Sequence, residues 1–139
     1  MKRFAGFYIV ILSLLFLQCT GKSGKSTGTS ENTGTPEMVF AEYEHDFGKV
    51  AGGEKISYQF RFDNKGTGDL VIASVMTTCG CTVTKYDRKP VPPGGSGTIE
   101  AVFDTSGRDG MQTKTITVNS NASVPVILLK IIAEVEQEK

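Results

Sequence analysis

Ile56, Tyr58, Phe60 and Phe62 alternate with Ser57, Gln59, Arg61 and Asp63. A period of two sends successive side chains to opposite faces, so this run reads as a strand with one face on a core and one in water. The period returns at Ile99, Ala101 and Phe103, and again at Ile116 and Val118 among the β-favouring Thr113, Thr115 and Thr117. Leu70, Ile72 and Ser74 interleave with Val71, Ala73 and Val75, which makes that strand apolar on both faces and places it centrally in a sheet. Val124 to Val135 is long and apolar on both faces; at a sheet edge it would pair with another chain. Pro125 stands near its start, where a missing N–H is tolerated. No stretch of the region keeps the i, i+3, i+4 spacing of a helix.

Ala51-Gly52-Gly53, Lys65-Gly66-Thr67-Gly68, Pro92-Pro93-Gly94-Gly95, Gly107-Arg108-Asp109-Gly110 and Asn119-Ser120-Asn121 are turn compositions. They divide residues 38–139 into about seven short strands, the pattern of an all-β, Ig-like β-sandwich with Greek-key connections. The chain has no Trp, so the Cys-Trp-Cys sign of antibody domains is missing and the likeness is architectural. Its 139 residues suit one domain of ordinary size. Lys plus Arg (15) balances Asp plus Glu (15), which leaves no basic footprint for nucleic acid.

The first third has another composition. Met1-Lys2-Arg3 is basic, and Phe4 to Leu17 is almost wholly apolar. A membrane-spanning helix needs about 20 apolar residues, so this shorter run reads as a signal peptide over residues 1–18. Cys19 directly follows and resembles the lipidated cysteine of bacterial lipoproteins, although Phe16 stands where the usual box has Leu and Gln18 where it has a small residue. The alternative is an ordinary signal peptide with a chance cysteine. Residues 19–37, rich in Gly, Ser and Thr, read as a flexible tether. Gly24-Lys25-Ser26 is not a phosphate-binding loop, because Cys19 occupies the place of its first Gly and no strand precedes it. The expected location is the bacterial cell envelope, with a membrane bound through the N-terminal lipid and a possible envelope protein partner.

Four stretches then converge on one resemblance: His45-Asp46-Phe47-Gly48-Lys49-Val50, Phe60-Arg61-Phe62-Asp63-Asn64-Lys65-Gly66, Leu70-Val71-Ile72 leading to Cys79-Gly80-Cys81-Thr82, and Pro93-Gly94-Gly95. In order and spacing they resemble a bacterial family of secreted or lipid-anchored domains, domain-of-unknown-function family 1573. The resemblance covers about residues 38 to 135 and implies an Ig-like fold, similar in class to major sperm protein and to cilia- and centrosome-associated domains. It implies no activity.

Cys79 and Cys81 carry the most reactive chemistry in the domain. In an oxidising compartment unpaired thiols are uncommon, and with Cys19 lipidated an even pair remains. On a straight strand their Cα atoms would be about 6.5 Å apart, at the outer limit for a disulfide. Gly80 could tighten that span. Three readings stand open: a structural pair, disulfide-linked or simply buried; a Cu(I) site, with Met76, Met111 and His45 as possible helpers; and a redox dithiol, for which no adjacent cation is visible in the sequence. His45, the only histidine, reads as a ring bonded to backbone at a strand crossing, with Asp46 capping a turn, Phe47 a core plug and Gly48 a bulge. Asp63 and Asp69, around Asn64, Gly66 and Gly68, are too few for a calcium loop and read as a hairpin. Asp104 to Asp109 reads as a polar turn, and Glu134, Glu136 and Glu138 as the solvent face of a fraying strand. No catalytic residue and no cofactor are expected. The leading expectation is a non-enzymatic binding or structural module; the alternative is soft-metal or thiol-redox chemistry at Cys79 and Cys81.

Overall fold

The computed structural model describes residues 33–78, 80 and 82–137. Cys19, Cys79 and Cys81, the signal peptide and residues 19–32 lie outside the described residues. Eight strands form: β1 (Met38–Phe40), β2 (Glu44–Ala51), β3 (Lys55–Asn64), β4 (Ile72–Thr77), β5 (Thr82–Tyr86), β6 (Ser96–Asp104), β7 (Gly110–Ser120) and β8 (Val126–Glu136). They make two four-stranded sheets, β1-β3-β6-β5 and β2-β8-β7-β4. Only β5–β6 and β7–β8 are consecutive strands paired in one sheet; every other connection passes from one sheet to the other.

The alternation seen in the sequence sets the interior. Phe60, Phe62, Ile99, Ala101 and Phe103 face inward from the first sheet, against Ile116, Val118, Leu129, Ile131, Ala133 and Val135 from the second. Each large apolar side chain so buried contributes about 1.5–3 kcal/mol. Gly97 pairs with Phe62, and a methyl at Gly97 would overlap the Phe62 ring.

β1 and β2 are two halves of one extended stretch. β1 pairs antiparallel with β3 in the first sheet; the chain then steps across, and β2 runs parallel to β8 in the second. Between Asp46 and Lys49 the β2 register slips against β8. There Gly48 takes φ +66°, and its N–H donates to Asp46 Oδ1 at 2.8 Å. The bulge and the Asp46 turn are therefore where the sequence places them.

Two expectations need correction, and the condition set on the last strand is not met. β4 is an edge strand paired only with β7, and its second apolar face is open, with Met76 55% exposed. β8 is not an edge, because β2 covers it from Lys130 onward; Val126 to Leu129 lie beyond the paired length of β2. The segment from Asp63 to Asp69 is not a hairpin, since β3 and β4 belong to different sheets. The crossing is tied down by Asn64, which is fully buried. Its Oδ1 accepts the N–H groups of Glu37 (3.2 Å) and Gly66 (3.1 Å), and its Nδ2 donates to the carbonyls of Gly68 (2.7 Å) and Val91 (2.9 Å). One side chain thus holds the start of the domain, the crossing 65–71 and the segment before β6.

The connections sort to two ends. Residues 65–71, 87–95 and 121–125 share one end with the entering chain, where Thr33 bridges Gly68 and Ser123 N–H donates to the Pro36 carbonyl. Residues 52–54, 78, 80 and 105–109 share the other. At that distal end buried Thr105 sits 2.9 Å from the carbonyls of Ala51 and Glu54 and accepts the Glu54 N–H at 2.8 Å.

Candidate functional site

Gly80, which lies between Cys79 and Cys81 in the sequence, belongs to the distal crossing from β4 to β5. The cysteines lie outside the described residues, but their flanks are placed. Thr77 Oγ1 donates to the Thr82 carbonyl at 3.1 Å, and Thr78 N–H donates to the Thr115 carbonyl at 3.2 Å. Gly80 is exposed. Thr82 is buried and pairs with Phe103. Lys114, next to Thr115 on β7, shares the inward parity of Ile116 and holds its ammonium 5.6 Å from the centre of the Phe103 ring. The same ammonium is 3.1 Å from Gln112 Oε1. A cation thus reaches between the sheets beside the crossing. The sequence shows no cation near the cysteines because Lys114 comes 33 residues after Cys81 (114 − 81). Its one signal is a charge at an inward position of the β7 alternation.

His45, Met76 and Met111 are not brought together. His45 is on β2 and Met76 on β4, at opposite edges of a sheet whose two middle strands lie between them. Met76 pairs with Thr117 and Met111 with Glu134; six residues of β7 separate these rows, about 20 Å. The His45 ring is not bonded to backbone as expected but stacks on Tyr58, centroids 3.5 Å apart and planes 10° apart, and meets the edge of Phe47 at 4.8 Å. Its Nδ1 is 3.7 Å from Glu42 Oε1. Phe47 is half-buried against the core, as a plug would be. His45 therefore joins β2 to β3 across the sandwich through ring packing. Asp63 is engaged by Lys65 Nζ (2.8 Å) and the Ser96 hydroxyl (2.7 Å), which hold its carboxyl below the ordinary aspartate range. Among the described residues no group of three or more His, Cys, Asp or Glu could hold a metal ion.

The outer face of the second sheet carries a feature of another kind. Met76, Thr117 and Leu128 lie in one row across β4, β7 and β8, with Ser74, Asn119 and Val126 in the next. Met76, Val126 and Leu128 are each half exposed or more, as is Val124 before β8. The patch is uncharged; charge begins one row on, with Lys130 and its ion pair to Glu44 at 3.7 Å. The sequence signal was the apolar character of both faces of β4 and β8, which reads equally well as central burial.

Known proteins resemble this arrangement in fold. A Porphyromonas gingivalis W83 protein of unknown function matches with TM-score 0.65 and 23% identity over 78% of this chain and 51% of its own, so the chain spans about half its length. The ASH/PapD-like domain 7 of human CEP192 matches with TM-score 0.62 and 9% identity, covering 76% of this chain and 89% of the domain. The YadV chaperone matches with TM-score 0.53 and 14% identity over 72% of this chain and 52% of the chaperone. At these identities the likeness is one of fold. A comparison with curated proteins found no match. The family model described as "Protein of unknown function (DUF1573)" matches residues 38–135, from the first residue of β1 to the penultimate residue of β8, and the chain belongs to that family.

Proposed function

We propose that the protein is a lipoprotein of the bacterial cell envelope, anchored through Cys19, whose domain binds a protein partner and transforms no substrate. The observation that carries this is the uncharged patch of exposed Met76 on β4 and exposed Val126 and Leu128 on β8, with Thr117 and Asn119 of β7 between them. Exposed apolar side chains gathered on one uncharged sheet face suit an interaction site. The partner chemistry that suits it is an apolar, uncharged protein face, because the patch between Ser74 and Leu128 offers hydroxyls and amides but no charge. The motif residues support a scaffold: Asn64 holds the chain at four points, and Asp46 closes the Gly48 bulge.

A photo-reactive amino acid at Leu128 in intact cells tests this reading. A discrete adduct is expected from Leu128 and none from Ser106 at the distal turn. No adduct from Leu128 across several growth conditions sinks the binding reading. The anchor is tested apart: Cys19→Ser is expected to abolish labelling by fatty acid and release the protein from the membrane fraction.

Lys114 favours a second reading, thiol chemistry at Cys79 and Cys81. A nearby ammonium stabilises a thiolate and lowers its pKa. The measurement is alkylation followed by mass spectrometry, before and after reduction and with Cu(I). Thiols that react several-fold faster at pH 7 in the native chain than in Lys114→Met support this reading. Thiols blocked until reduced indicate a disulfide, and protection by Cu(I) indicates metal binding. Free thiols indifferent to both copper and Lys114 leave packing as their role.

A further inference from the structure

The outer face of the first sheet is bounded by a wall. The segment 87–95 between β5 and β6 rises beside it and is pinned at several points. Val91 and Leu70 exchange backbone hydrogen bonds of 2.8 and 2.9 Å, and Asn64 N–H donates to the Gly95 carbonyl at 2.9 Å. Wall and sheet enclose a cleft of about 500 Å³, with Arg61 and Thr98 on its floor and Pro90, Val91 and Pro92 along one side. A second hollow of about 290 Å³ lies on the other side of Arg61, over Val39 and Ala41. Both hollows share Arg61, Phe62 and Ser96, so they form one trough across β1, β3 and β6 with Arg61 in the middle.

The trough is lined by two cations, Arg61 and Lys89, and two carboxylates, Asp63 and Asp87. Neither Arg61 nor Lys89 forms an ion pair among the described residues. The two neighbouring carboxylates are engaged otherwise. Asp63 is held by Lys65 and Ser96, with Arg61 a minor influence on it, and Asp87 Oδ1 accepts the backbone N–H of Lys89 at 3.0 Å. A guanidinium open to a carboxylate, a second cation at the rim and apolar surface on both sides make a specific combination. Arginine receives a carboxylate through two parallel hydrogen bonds, which fixes orientation as well as charge.

We propose that this trough binds an extended acidic peptide segment, with the carboxylate of an Asp or Glu side chain on Arg61 and Lys89 and small apolar side chains against Pro90–Pro92 and Val39. A peptide suits the trough better than a sugar. The aromatic rings that line it, Phe40 and Phe62, are buried and offer no stacking platform. The site lies on the opposite sheet from Leu128, so either surface can fail its test without the other.

The test uses the mature full-length protein in detergent and fluorescence anisotropy. The probe is a labelled, capped hexapeptide of Val and Thr around one Glu, compared with the same peptide carrying Gln. Binding of the Glu peptide is expected, at least tenfold weaker for the Gln peptide, at least tenfold weaker with Arg61→Gln, and a few-fold weaker with Lys89→Gln. Affinity should fall with added salt, as it does for exposed charge pairs. Equal binding of the two peptides, no binding of either, or indifference to Arg61→Gln overturns the proposal. Glutarate competing as well as the Glu peptide overturns it too, since the trough would then take a free dicarboxylate. Should Arg61→Gln not fold, Lys89→Gln at the exposed rim decides, with an unchanged affinity counting against the proposal.

Discussion

Asn64 uses both faces of its amide on backbone groups drawn from three separate parts of the chain. An apolar replacement would leave those groups buried without partners, each costing about 1–3 kcal/mol. Asn64→Ala is therefore expected to destabilise the domain by about 3–5 kcal/mol, read from the urea midpoint. Asp63, its neighbour, acts through charge at the surface. Lys65 and Ser96 hold its carboxyl below the ordinary aspartate value, so the folded state binds the proton less readily than the unfolded chain does. Its contribution is then fully present above the unfolded value, near pH 3.9, and is lost as the pH falls through the lower folded value. Thermal melts from pH 6 downward should show a loss of stability below about pH 4 that is smaller in Asp63→Asn. Lys49 has the opposite sign: its bond to Glu136 raises its pKa, so that contribution is present at neutral pH and is lost in strong alkali.

At the scale of the strands, two features decide the assembly. The first is the step between β1 and β2, which lets one extended stretch close an edge of each sheet. His45 and Phe47, two residues apart on one face of β2, both meet Tyr58, and the Gly48 bulge follows them. The second is the pairing of a large residue with none: Phe62 on β3 lies opposite Gly97 on β6. Gly97→Ala forces a methyl into the ring and is expected to cost about 1–3 kcal/mol, visible as a lower melting temperature. At Leu128 the side chain points to solvent, so Leu128→Lys should change stability by less than about 0.5 kcal/mol while abolishing the adduct formed nearby. β4 is the exposed edge of the second sheet, and such edges invite pairing with other chains.

Across the described domain, Thr33 to Glu37 lie at one end, and Thr78 and Gly80 of the β4–β5 crossing at the other. Residues 33 to 37 already belong to the domain: Thr35 and Glu37 accept the N–H groups of Thr67 and Lys65 at 2.9 and 2.8 Å, and Pro36 is buried. A chain beginning at Met38 is expected to unfold at lower urea than one beginning at Thr33, by about 1–3 kcal/mol for the hydrogen bonds lost. The alternation of Ile56 to Phe62, Ile99 to Phe103 and Ile116 to Val118 was enough to determine an all-β sandwich and its inward residues, because a strand's two faces are set by position alone. Asp46 and Gly48 were legible for a similar reason: a bulge and its turn need only neighbours in the chain. What the sequence could not determine was which sheet each strand joins. Apolar residues on both faces of β4 and β8 are compatible with burial or with an open patch, and only pairing tells them apart. Asn64 looked like a hairpin residue because its partners Glu37 and Val91 each lie 27 residues away (64 − 37 and 91 − 64). Lys114 and the Arg61 trough were hidden for the same reason: a cation acts on what lies within a few ångströms, and those neighbours are brought together by folding, not by order along the chain.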